Sequence, residues 1–244
     1  MAKTTPRLHV NSILEDGREI TLAGEQSHYL AHVLRMVPGD ALRVFNNENG
    51  EVLAYITLIA KKAVSLRCER QVIAVSPPPD IDYVFAPLKH QRLDYLVQKA
   101  TELGARRLQP MITARTIADR VNLDRMRANV IEAAEQCNLV YVPEVREPQS
   151  FAALMKSWDQ KRCIIFCDEN ANLENPIAVL SKQVLPAAVF VGPEGGFTED
   201  ERDRLKSMPK VAAISLGPRI MRADTAAVAA LSIVQATLGD WHSH

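Results

Sequence analysis

Along the first third of the chain, short hydrophobic stretches broken by turn residues follow one another, the pattern of short strands. The clearest are Arg18–Leu22, Ala41–Phe45, Val52–Ile59 and Ala63–Cys68. Asn49-Gly50 lies between the second and third and predicts a hairpin, because type I′ turns need positive φ. One helix, Glu25 to Met36, interrupts the strands, and Pro38-Gly39-Asp40 ends it. A small β-barrel with one helix fits residues 1–75. Ser76-Pro77-Pro78-Pro79-Asp80 then predicts a stiff linker over 76–80, since three prolines cannot continue a sheet.

From 81 to 244 the pattern changes. Apolar runs at Asp82–Leu88, Leu108–Ile112, Arg162–Cys167, Ala188–Val191 and Val211–Leu216 predict strands. Between them come helical periodicities at Arg92–Leu103, Leu123–Cys137, Phe151–Trp158, Pro176–Gln183 and Thr225–Leu238. Gly104 stops the first of these helices. Thr198-Glu199-Asp200-Glu201 reads as a capping box opening a further one, with Glu201 reaching back to the Thr198 backbone. Such alternation implies an α/β domain whose mostly parallel sheet is covered by helices.

Composition narrows the function. With 244 residues, 47% of them apolar, the chain builds one large or two modest cores. No apolar run approaches the roughly 20 residues of a membrane span. The opening Met1-Ala2-Lys3-Thr4-Thr5-Pro6-Arg7 has no apolar signal core, so a cytoplasmic protein is expected. Cys68, Cys137, Cys163 and Cys167 show neither metal spacing nor a disulfide framework, and packing roles are expected for them. His28 and His32 are four apart without a third ligand nearby, and no metal is expected. Acidic and basic residues balance at 29 each, so an RNA partner would be gripped by a local patch and not by the chain as a whole.

The candidate chemistry sits at two strand-to-loop junctions. Val189-Phe190-Val191 runs into Gly192-Pro193-Glu194-Gly195-Gly196-Phe197, and Ile214-Ser215-Leu216 runs into Gly217-Pro218-Arg219-Ile220-Met221-Arg222-Ala223-Asp224-Thr225. Neither loop is the dinucleotide G-x-G-x-x-G or the phosphate-cradling P-loop, which argues against an NAD enzyme or NTPase. Loops at the carboxyl edge of a parallel sheet are where α/β proteins bind ligands, so the two are expected to build one pocket. Two arginines at the positive end of a helix are unfavourable unless an anionic or electron-rich partner is near. That marks Arg222, and Arg219 after it, as functional residues. Asp224 alone is ordinary complementarity to the helix dipole.

These two junctions resemble the signature motifs of the RsmE-type methyltransferases, SPOUT-class enzymes that methylate N3 of a uridine in bacterial 16S ribosomal RNA. Further matches are His28-Tyr29-Leu30-Ala31-His32-Val33-Leu34-Arg35-Met36, Gln98-Lys99-Ala100-Thr101-Glu102-Leu103-Gly104 and Ala133-Ala134-Glu135-Gln136-Cys137. They hold order and spacing from about Arg7 to the C-terminus. The chain departs at Asp224, where the family has Glu, at Ala114-Arg115-Thr116, and at Asn138, where a Gly is usual. The resemblance implies a PUA-like RNA-binding barrel, a SPOUT domain with a trefoil knot, bound S-adenosylmethionine and a homodimer acting on the small ribosomal subunit. The cofactor would be held by Cys167, Val191, Gly192, Pro193, Glu194, Gly195, Gly196, Leu216, Gly217, Ile220, Met221 and Thr225. Catalysis would fall to Arg222 and Asp224, with Arg7, Arg35, Arg115 and Arg219 on the RNA. Two other readings stay open: a non-catalytic RNA-binding assembly factor, and an enzyme of the same class acting on tRNA.

Overall fold

The computed structural model describes residues 5–89, 91–118, 120–171 and 174–241. The opening Met1–Thr4, part of the stretch expected to lack a signal core, lies outside them. The chain divides into two compact units, Met1–Pro77 with Ala134–Val142, and Pro78–Ala133 with Pro143–His244.

The first unit contains β1 (Arg7–His9), β2 (Glu19–Ala23), α1 (Gly24–His28), β3 (Ala41–Asn46), β4 (Gly50–Ala60) and β5 (Ala63–Ile73). The sheet order is β1-β3-β4-β5-β2. Only β1 and β3 pair in parallel. Three register shifts between β4 and β5 bend the ladder and curl the sheet around Leu30, Leu42, Val44, Ile56 and Leu66. Burial alternates along β5, which switches between buried and more exposed positions from Ala63 to Cys68.

Two local expectations need correction. The helix predicted to reach Met36 is α-helical only to His28 and continues as a π-helical turn over Tyr29–Val33. The Leu34 N–H bonds the Tyr29 carbonyl, five residues back, and Arg35 turns the chain with φ +53°. The hairpin is real, but its loop is Asn47–Asn49, and Gly50 at φ +75° already pairs with Asn46. The Asn46 side chain sets this longer turn by accepting the N–H groups of Glu48 and Asn49. A methyl at Gly50 would sit 2.3 Å from the Ile73 carbonyl oxygen, so glycine is required twice over. Strand β1, three residues long, is too short to show a period.

The second unit contains β6 (Ile81–Phe85), α2 (Gln91–Glu102), β7 (Arg107–Ile112), α3 (Leu123–Gln136), β8 (Glu144–Val145), β9 (Gln149–Ser150) and α4 (Phe151–Lys156). It continues with β10 (Cys163–Cys167), α5 (Pro176–Leu180), β11 (Ala187–Val191), α6 (Glu199–Lys206), β12 (Val211–Ile214) and α7 (Ala223–Leu238). The last residues of α3 belong to the first unit. All pairings are parallel, in the order β12-β10-β11-β6-β7-β8, with β9 also on β7. Strands β6 and β11 are buried at every position, as expected for a sheet covered on both faces. Strands Asp82–Leu88 and Val211–Leu216 are shorter than predicted because their last apolar residues turn away as loops. Helices Phe151–Trp158 and Pro176–Gln183 likewise stop early, at Lys156 and Leu180. The capping box is present in full at Thr198 and Glu201.

Candidate active site

Strand order puts β10 between β11 and β12, so three neighbouring strands end side by side. Cys167 pairs with Ile214 and Phe166 with Phe190, which keeps those ends level. The chain leaving β11 is bent by a plug. Phe197 is buried and packs edge-on against Phe166, 5.3 Å between ring centroids. Its ring lies under Gly192, where an added methyl would meet Cε2 at 2.6 Å. The glycine therefore lets the loop fold back over its own phenylalanine.

These ends enclose one cavity of about 390 Å³, within the range of small-ligand sites. Of the residues assigned to the cofactor, Cys167, Val191, Gly192, Pro193, Glu194, Gly196, Leu216, Gly217, Ile220 and Met221 line it. Gly195 and Thr225 are not among its lining residues. A methyl at Gly195 would face the Arg115 side chain at 3.5 Å, and Arg115 donates a hydrogen bond to the Gly195 carbonyl at 2.7 Å. Asp168, Glu169, Arg202, Arg219 and Ala226 complete the wall along with apolar neighbours. The Asp168 carboxylate is almost wholly buried and meets Lys206 at 3.0 Å and Arg202 at 3.6 Å. Burial pushes the Cys167 thiol up to about 12, so it is a neutral wall group at physiological pH.

Arg222 is the N-cap residue of α7. Its side chain is exposed and makes no capping bond. Arg219 is exposed on the same loop, and Ile220 beside it is 95% exposed. Asp224, in the first turn of α7, accepts hydrogen bonds from its neighbour's Thr225 N–H at 2.8 Å and from Arg92 Nε at 2.9 Å. Arg92 also pairs through Nη1 with Glu194 of the first loop. The Arg92 hydrogen bond holds the Asp224 carboxyl below the usual carboxylate range.

Arg92 was not singled out in the sequence, although the argument that flagged Arg222 applies to it. It is the second residue of α2, at a positive helix end, and needs anions nearby. Arg35 is exposed in the first unit. Arg7, expected on the RNA, is placed otherwise. Its side chain is 7% exposed, bonded to Glu51 at 2.6 Å and to the carbonyls of Ala134, Glu135 and Leu139 at 2.9 Å each. Four of its five N–H donors are thus engaged within the first unit.

Known proteins resemble this chain over most of its length. A family model described as an RNA methyltransferase domain matches residues 76–235, and one described as an RNA methyltransferase PUA domain matches 22–68. The chain is 33% identical over 232 residues to a ribosomal RNA small subunit methyltransferase E of Rickettsia conorii, covering 94% of each chain. It is 31% identical to the Bacillus subtilis protein of the same description, over 91% of each. Among solved structures, a Legionella pneumophila protein in complex with S-adenosylmethionine superposes with a TM-score of 0.83 at 28% identity, covering 98% of this chain and all of that one. A ribosomal RNA small subunit methyltransferase E from Neisseria gonorrhoeae shares the fold with a TM-score of 0.85 at 24% identity, over 97% and 99%.

Proposed function

This chain belongs to the ribosomal RNA small subunit methyltransferase E family, and on that premise we propose that it methylates N3 of a uridine in 16S ribosomal RNA. The methyl donor is S-adenosylmethionine, and the cavity residues fit it. Glu169 brings an acidic group to a wall that would face a sulfonium cation, while Asp168 and Glu194 are already paired with Lys206, Arg202 and Arg92. Backbone groups of the two glycine loops suit the adenosine, and Leu216, Ile220 and Met221 supply apolar surface. When bound, the donor supplies an electrophilic methyl group beside the loops.

Uridine N3 carries a proton and becomes nucleophilic only as that proton leaves. Arg222, exposed at the start of α7, donates N–H groups to the uracil oxygens where negative charge develops. Asp224 is a poor proton acceptor, because Arg92 keeps it ionised well below neutral pH. Its part is to orient Arg92, and the N3 proton passes to solvent. The target base is splayed from its stack to reach the cavity. Arg35, Arg115 and Arg219 contact RNA phosphates or base edges, and Arg7 holds its own unit together. A knotted final segment, a homodimer and a cytoplasmic location complete the proposal, and all three rest on the family resemblance. No described helix is long and apolar enough to cross a membrane.

The reading rests chiefly on three level strand ends closing one cavity, with an uncapped, exposed arginine starting the helix beside it. Its test is to map methylated uridines in 16S ribosomal RNA from cells with and without the protein, and to restore methylation in vitro with the purified enzyme. Loss of one N3-methyluridine without the protein, and its return in vitro, is the expected result. An unchanged methylation map would overturn it.

A further inference from the structure

Arg92 is not part of the cavity wall, yet it bridges the two loops of the site. It stands at the start of α2, 102 residues from Glu194 and 132 from Asp224, yet it bonds both. One carboxylate belongs to the first glycine loop and lines the cavity; the other belongs to the first turn of α7, two residues after Arg222. Both are partly exposed, at 44% and 17%, and held at one guanidinium they would repel each other if it were removed. The far ends of the same helices are also tied. Gln235 of α7, fully buried, donates to the Leu103 and Gly104 carbonyls just beyond α2, at 2.8 and 3.2 Å. α2 and α7 therefore run parallel, clasped at both ends, and Arg92 is the clasp at the site. Its Nη2 is buried with no hydrogen-bond partner.

We propose that Arg92 is a positioning residue: by holding Glu194 and Asp224 together it sets the distance between the methyl-donor loop and Arg222. The proposal rests on the methyltransferase reading, and it makes a claim about loop order that does not depend on it. Removing the guanidinium frees both loops at once, so the reacting groups lose alignment while the apolar walls of the cavity stay. The loss then appears in kcat more than in the KM for RNA.

The test uses the full-length enzyme as wild type, Arg92→Met, Arg92→Lys, Asp224→Asn and the double variant Arg92→Met/Asp224→Asn. Methyl transfer to small-subunit RNA is measured at saturating S-adenosylmethionine, and backbone hydrogen exchange is measured without substrates. In Arg92→Met, kcat is expected to fall about 30-fold, roughly 2 kcal/mol, with the RNA KM little changed. Exchange should quicken in both 192–197 and 219–226 and stay unchanged in β10. Arg92→Lys keeps a cation between the carboxylates and recovers part of the rate. Adding Asp224→Asn to Arg92→Met costs nothing more, because the shared interaction is already gone. A kcat within twofold of wild type, or faster exchange in neither loop, overturns the proposal, as does an additive loss in the double variant. If the wild type transfers no methyl group but exchange still quickens in both loops, the functional reading fails and the clasp stands.

Discussion

Arg7 was expected to touch RNA, and the structure makes it a core element, so Arg7→Met separates the two roles. The change removes one guanidinium from a side chain that is 7% exposed, beside a Glu51 that is wholly buried. It strips donors from three carbonyls, at Ala134, Glu135 and Leu139, and removes a cation seated 4.5 Å from the Phe45 ring centre. Breaking a buried ion pair by deleting one partner costs about 3–5 kcal/mol. The three orphaned carbonyls add to this at up to about 1 kcal/mol each. Arg43, still 3.0 Å from Glu51, offsets part of the loss. A net destabilisation of about 4 kcal/mol follows. At roughly 2–8 °C per kcal/mol, the transition of the first unit moves down by at least about 8 °C. Both tryptophans, Trp158 and Trp241, lie in the second unit, so the assay is far-ultraviolet circular dichroism with urea and heat rather than fluorescence. Replacing Glu51 by Leu as well should recover much of the loss, because an apolar pair removes the uncompensated charge. Below its transition, Arg7→Met should bind RNA as the wild type does. A loss under about 1 kcal/mol, less than the weakest buried pair should cost, would refute the reasoning, and so would a full-stability variant that no longer binds RNA.

Three further outcomes are expected. Ala226→Phe places a ring in the cavity wall from a position within α7, so calorimetry should show loss of S-adenosylmethionine binding while the circular dichroism spectrum is kept. The Asp224 carboxyl lies below its ordinary 3.8 in the folded protein, so its pairing stabilises the fold fully above about pH 4 and loses that effect as pH falls through the lowered value. The stability gap between wild type and Asp224→Asn, followed by urea titration, should then be flat from pH 5 to 8 and shrink in more acidic buffer; a gap that widens in acid would contradict it. Asn138 has φ +57°, so Asn138→Gly should be neutral or stabilising, whereas Asn138→Val should cost about 1–2 kcal/mol in the same titration.

That last position also explains a departure from the family pattern. The backbone after α3 needs a left-handed residue, and asparagine meets that need nearly as well as the usual glycine. The substitution changes the letter and keeps the geometry. Signals of this kind are short-range. The capping box at Thr198, the glycine loops after β11 and β12, and the period-two burial of β5 each involve residues a few positions apart, so they are readable along the chain. The parallel sheet and the cavity at its carboxyl edge follow from the repeated alternation of strand and helix, which constrains connectivity strongly.

Pairing across long separations is a different matter. Arg92 reads as one more charge on a helix face until the fold carries Glu194 and Asp224 to it. Arg7 reads as a basic residue near a terminus until residues 134–139 fold back onto its guanidinium. Burial is what converts such charges from solvated decoration into committed partners, since a charge removed from water must find its counter-charge or hydrogen bonds. Local patterning therefore determined the elements and located the cavity loops. Which arginines face solvent, and which brace the protein, was settled by three-dimensional packing, because the cost of desolvating a charge depends on neighbours that sequence distance does not reveal.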